Sequence, residues 1–169
     1  LKVYSNALSG SVPAGLCDID TLNYMDLGFN SITSAPDCIL VADPFWQETQ
    51  TVAPADFRAT AVTGNSVSLA WTPIIYGYDG GYYEISYRPA GGSYSVAGTT
   101  ADKNTSSFIV TGLMPGKTYD LRVRTYTPAH NTVPAYQQNA LWSGYATTTA
   151  QTPSGPVVRK LYLPLLKVR

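Results

Sequence analysis

The residues able to do chemistry are few and scattered along the chain. His130 is the single histidine, so no cluster of imidazole ligands exists, and a Ser-His-Asp triad would have to run through that one residue with no nucleophile elbow near it. Asp18-Ile19-Asp20 followed by Asn23 is rich in oxygen ligands, but it lacks the glycine and the bidentate glutamate of a calcium loop. Gly77-x-x-Gly80-Gly81 is not followed by the helix or lysine that a phosphate requires. No pair of carboxylates stands out for glycosidic cleavage. The sequence predicts a chain that is not an enzyme and that holds no cofactor and no metal. Asn104-Thr105-Ser106 is a formal acceptor for N-linked sugar on an expected loop.

Composition points the same way. Among 169 residues, 44% are hydrophobic and only 13% are charged, with 13 tyrosines, a profile suited to β-sheets and extracellular surfaces. Net charge is zero but lopsided: residues 1–57 hold seven of the eleven acids and one base, Lys2, and the remainder holds four acids and ten bases. The bases form no dense stripe interleaved with stacking aromatics, which argues against nucleic acid. No run of 18 apolar residues is present to span a bilayer. With no initiating methionine, the chain reads as a piece of a longer protein.

The elements that must position these residues fall into three stretches, 1–53, 54–153 and 154–169. In the first, Asn6-Ala7-Leu8 and Asn30-Ser31-Ile32 recur at a spacing of 24, with Val3 matching Leu27 and Leu1 matching Met25, a period that signals stacked coils. The run Leu8-Ser9-Gly10-Ser11-Val12-Pro13 and the pattern Ile19-x-x-Leu22-x-x-Met25-x-Leu27-x-x-Asn30-x-Ile32 resemble leucine-rich repeats. On that resemblance Asn6 and Asn30 satisfy backbone groups where the chain leaves each short strand, and Ser34-Ala35-Pro36-Asp37-Cys38 closes the array. Adjacent coils then bring Cys17 and Cys38 together as a disulfide, the alternative being two buried thiols. Phe45 and Trp46, in the connector, are expected to plug the seam between the first two stretches.

The second stretch alternates as strands do. Strands are expected near 57–62 and 66–72, the latter with Trp71 facing in, then Gly81-Tyr82-Tyr83-Glu84-Ile85-Ser86-Tyr87-Arg88, with Tyr83, Ile85 and Tyr87 inward. Further strands follow at 94–99 and 107–111, and the last begins at Trp142. Leu113-Met114-Pro115-Gly116-Lys117-Thr118-Tyr119 forms a corner between sheets. Together the aromatic strand and the corner resemble the fibronectin type III domain. That resemblance implies a mainly β chain with an immunoglobulin-like sandwich over 54–153. It also implies a Tyr119 hydroxyl bonded back to the upstream backbone, Leu113 as a structural position, and Glu84 near Arg122 or Arg124 on neighbouring strands.

The sandwich resemblance bounds function without naming a partner. The connection over 127–141 exceeds the usual hairpin loop, and with residues 74–79 at the same end it makes a candidate binding rim of Tyr76, Tyr78, His130 and Tyr136. The basic, apolar tail carries Leu161, Tyr162, Leu163, Leu165 and Leu166, suited to strand addition and self-assembly. The expected function is a non-catalytic, secreted or surface-exposed, bacterial-type module for adhesion or protein binding, with a protein or glycan at the cell surface as partner. Two alternatives stand: a structural subunit of an extracellular filament or surface layer joined head to tail, and an accessory module of a secreted carbohydrate-active enzyme.

Overall fold

The computed structural model describes residues 1–130 and 137–155. The tail positions Leu161, Tyr162, Leu163, Leu165 and Leu166 and the rim position Tyr136 lie outside the described residues.

Residues 1–50 wind as stacked coils. β1 (Ser9–Ser11) and β2 (Ser31–Ser34) pair in parallel, Ser9 opposite Ser31 and Gly10 opposite Ile32, and a bridge joins Lys2 to Asp26. The repeat seen in sequence recurs in backbone conformation: Ser5 and Phe29, 24 apart, both turn through the left-handed region (φ 53° and 56°) immediately before the asparagines. Asn30 is fully buried. Its amide donates to the carbonyls of Leu27 and Gly28 in its own coil and of Val3 in the preceding one, and its Oδ1 accepts the Leu8 N–H. Asn6 makes the equivalent bonds to Val3 and Tyr4.

Gln50 then does for the second coil what Asn30 does for the first. Its amide donates to Leu27 O, and its Oε1 accepts Ile32 N–H. Because Leu27 and Ile32 are the counterparts of Val3 and Leu8, the connector continues the polar ladder after the coils end. Cys17 and Cys38 are bonded, with Cα atoms 5.8 Å apart. The core of this unit is Met25, Leu27, Ile32, Ile39, Ala42 and Trp46, the isoleucine and alanine coming from the one-turn helix α1 (Ile39–Ala42). Trp46 is buried there, but Phe45 is 68% exposed. The expectation that both rings plug the seam is therefore corrected: Trp46 opens a short 3-10 turn over 46–49 and packs into the coil core, whereas Phe45 stands just before that turn with a non-helical backbone and its ring is left in solvent.

The remaining strands make two sheets. β3 (Ala55–Val62), β4 (Ser66–Thr72) and β7 (Ser107–Thr111) form one, in that order. The other runs β10 (Ala146–Gln151), β8 (Thr118–Thr127), β5 (Tyr82–Pro89), β6 (Ser95–Thr99), with β9 (Leu141–Trp142) also on β8. Every pairing in the two sheets is antiparallel. The register between β5 and β8 sets Tyr83 against Thr125, Ile85 against Val123 and Tyr87 against Leu121 on the inner face. Between the sheets Val67, Leu69, Trp71, Tyr83, Ile85, Val110, Leu113, Leu121 and Val123 are buried. Tyr87 is half-buried and leans on Tyr119, ring centroids 6.1 Å apart.

At the corner, the Tyr119 hydroxyl accepts the Met114 N–H at 2.9 Å. The last strand differs from expectation. It breaks after Trp142 because the Ser143 hydroxyl, in place of a main-chain carbonyl, accepts the Thr125 N–H, and pairing resumes only at Ala146. Such a bulge re-aims the side chains on either side of it.

Candidate functional site

Two surfaces collect the chemically distinctive side chains. The first is the pole of the sandwich carrying residues 74–79 and the connection after β8, which is where the coils sit. Thr51 Oγ1 donates to Thr127 Oγ1 at 2.7 Å, Thr125 Oγ1 donates to Val52 O, and Asn139 donates to Ser5 O. Tyr76 meets the edge of Phe29 (5.8 Å) and its hydroxyl lies 3.1 Å from His130 Nε2. Tyr76 and His130 are thus brought together, with Tyr76 also engaged by the coils through Phe29, while Tyr78 is 92% exposed. Asn104, of the formal Asn-Thr-Ser motif, is exposed on the turn before β7.

Beneath this pole lies a pair that sequence reasoning missed. Lys103 and Asp79 have fully buried side chains and form an ion pair. The ammonium also donates to Thr127 Oγ1 at 3.0 Å and stands 4.2 Å from the centre of the Tyr76 ring. Asp79 Oδ1 accepts the Gly81 N–H. All three lysine protons therefore have partners, and the carboxylate is held by the turn that starts β5. Gly81 is required at that spot, since a Cβ there would stand 2.1 Å from Tyr126 O. Burial lowers the Lys103 pKa below the usual lysine range, opposed by Asp79.

Tyr83 completes the pole from within. Its hydroxyl accepts Ile74 N–H and donates to Lys103 O, both at 2.9 Å. Burial pushes its pKa up to about 12, and Tyr76 is raised for the same reason. The unfolded phenol ionises near 10. A group whose folded pKa is raised stabilises below its unfolded value and loses that contribution as pH climbs through the folded one. Stability should therefore fall by roughly 2–3 kcal/mol for Tyr83 alone between about pH 10 and 12. A thermal midpoint that stays flat across that window would contradict the assignment.

The second surface is the outer face of the larger sheet. Register places Glu84 opposite Arg124, Ser86 opposite Arg122 and Arg88 opposite Asp120. Arg124 pairs with Glu84 and Arg88 with Asp120, each at 2.8 Å. Arg122 has no ion pair among the described residues; its guanidinium lies between the rings of Tyr94 (3.7 Å) and Tyr145 (3.9 Å). Arg124 stacks on Trp142 at 3.8 Å, and Trp142 packs with Tyr126 and Tyr82. Ser86, expected to face solvent, is on this outer face yet 1% exposed, because rings and guanidinium groups pave the sheet above it.

Among the described residues no three His, Cys, Asp or Glu side chains converge to hold a metal, and no helix is long and apolar enough to cross a membrane. No curated protein matches the chain in sequence. Two solved structures are similar to it at low identity. A computationally redesigned β-sandwich protein is 18% identical and covers 61% of this chain and 91% of its own, with a TM-score of 0.45. The two-domain fibronectin type III segment of chicken tenascin is 23% identical and covers 62% of this chain, with a TM-score of 0.47; the match spans 52% of the tenascin segment. Residues 52–138 match the fibronectin type III domain model, from the connector through β8 and into the loop that follows it, and this chain belongs to that family.

Proposed function

We propose that the chain is a non-catalytic, extracellular protein-binding module used in adhesion, in which a fibronectin type III domain is mounted on the end of a leucine-rich repeat array. Domains of this family typically serve as protein-binding modules or scaffolds. The observation that carries the binding reading is the outer sheet face. Trp142 and Tyr145 are 38% and 37% exposed, and with Tyr94 and three arginines they give it the Trp, Tyr and Arg content of binding hot spots, where lysine and glutamate are scarce. The disulfide supports an oxidising, extracellular setting.

The repeat reading is supported by the parallel pairing of β1 with β2 and by the polar ladder of Asn6, Asn30 and Gln50. At the first coil Leu1, Val3, Leu8, Val12 and Leu16 line an open apolar groove of about 220 Å³, the surface onto which another coil would stack.

The binding reading is tested by probing arrays of purified extracellular proteins and glycans with the full chain and with Trp142→Ala. Spots bound by the former and lost with the variant support it. No spot above background, or binding that the variant leaves unchanged, refutes it.

A further inference from the structure

Residues 1–57 carry seven acids against one base, and the fold gathers part of that charge. Asp18 follows Cys17 and Asp37 precedes Cys38, so the disulfide draws two exposed carboxylates to one spot, with exposed Asp20 nearby in sequence. Around it stand Ile19 (46% exposed), Leu40 (48%) and Val41 (84%). Three exposed aliphatic side chains set among acids are costly to leave in water.

The outer sheet face has the complementary character. Arg88 and Arg124 are matched by Asp120 and Glu84, but Arg122 is not matched by an acid, and its buried Nε has no hydrogen-bond partner among the described residues. The rings of Tyr94 and Tyr145 pack against its guanidinium but supply no counter-charge, so it is the uncompensated cation of this face and can pair with a carboxylate arriving from outside the sheet. Val96, on β6 and opposite Ser86 of the intervening β5, is 60% exposed and offers apolar surface on the same face.

We infer that the outer sheet face around Arg122 docks the acidic cap around the Cys17–Cys38 disulfide of a second copy of this chain. The inference deepens the binding reading by naming the partner. Charge complementarity selects the cap: its carboxylates supply the acceptor that Arg122 lacks, and its aliphatic side chains meet Val96 and the exposed edges of Tyr145 and Trp142. Because face and cap are different surfaces, the contact is heterologous and a dimer keeps one free face on one copy and one free cap on the other, which propagates into open chains unless the rotation closes a ring.

The experiment is light scattering of the full chain across a concentration series at low and high salt. Mass should rise with concentration at low salt, and the dissociation constant should weaken by about tenfold or more at high salt. Arg122→Ala removes the face and Asp18→Asn with Asp37→Asn removes the cap, so each variant alone should be monomeric. An equimolar mixture should stop at a dimer, one intact cap on one intact face. Val96→Asp, at an exposed position, repeats the face test without disturbing the ring stack.

A wild-type chain monomeric at every concentration overturns the inference. So does association that survives both sets of substitutions, or that is lost only with the face variants, as in a face-to-face dimer. Array binding retained by a strictly monomeric chain would leave the adhesion reading standing while this one falls.

Discussion

Asp79→Ala should destabilise the protein by about 3–5 kcal/mol, the largest single-residue effect expected in the chain. The reason is what remains behind. Lys103 is fully buried, and without Asp79 its ammonium keeps only the Thr127 hydroxyl and the Tyr76 ring. Neither neutralises a charge in a low-dielectric site, so the lysine must deprotonate or the loop must open to water. Lys103→Met removes the charge and keeps the length of the side chain. It should cost less than Asp79→Ala, because the carboxylate left behind still accepts the Gly81 N–H. Pairing both changes as Asp79→Ala with Lys103→Met should recover much of the loss, since replacing both members of a buried pair by apolar groups can be nearly neutral. Denaturant unfolding measures all three. Equal losses in the two single variants, with no recovery in the double, would show that the pair acts through packing alone. The pair also reaches the joint: Lys103 holds Thr127, Thr127 accepts from Thr51, and the Thr51 N–H bonds Asn30 O in the coil ladder. Hydrogen exchange at Thr51 should therefore accelerate in Asp79→Ala.

That pair was invisible in the sequence for a physical reason. Asp79 stands in a Gly-rich turn and Lys103 between Asp102 and Asn104, composition that ordinarily marks solvated loops. The site is assembled from Tyr76 and Asp79 on one loop, Lys103 on another and Thr127 at the end of β8, a convergence that no local pattern encodes. By contrast, period-two alternation made the inner face of β5 and β8 legible, because each inward residue is independently apolar and the register follows from burying them all. The 24-residue spacing made Asn6 and Asn30 legible in the same way. Gln50 escaped notice because it does the work of Asn30 from a different backbone position, reached by a longer side chain. Trp46 and Phe45 show the limit of composition: adjacent rings in a connector suggest shared cover, but the 3-10 turn separates them by about a third of a turn and only one finds the core. The arginine and tyrosine paving was written in the strands, yet alternation says only that those side chains point outward, not that they stack on one another. Loop composition made the rim residues conspicuous; the contact of Tyr76 with Phe29 of the coils is a tertiary fact.

Reducing the Cys17–Cys38 bond should remove about 3 kcal/mol from the coil unit while leaving the sandwich folded. The bond joins residues 21 apart in sequence, and a loop of that size sets the entropy that its closure takes from the unfolded chain. The coil unit depends on it more than a large domain would. Its buried apolar core is six side chains, a stretch of some 50 residues is near the lower limit at which burial alone offsets chain entropy, and the groove at Leu1, Val3 and Leu8 leaves apolar surface in water. The sandwich has its own core and contains no cysteine. Thermal unfolding of the reduced protein should therefore split into two transitions. The first exposes Trp46 and shifts fluorescence to the red, and the second is the unfolding of the sandwich around Trp71. The joint predicts a further consequence: once the coils melt, Thr51 no longer holds Thr127 and Phe29 leaves Tyr76, so the Lys103 site opens and the sandwich transition itself moves to lower temperature than in the oxidised protein. A single transition with an unchanged midpoint after reduction would show that neither the bond nor the joint contributes to stability.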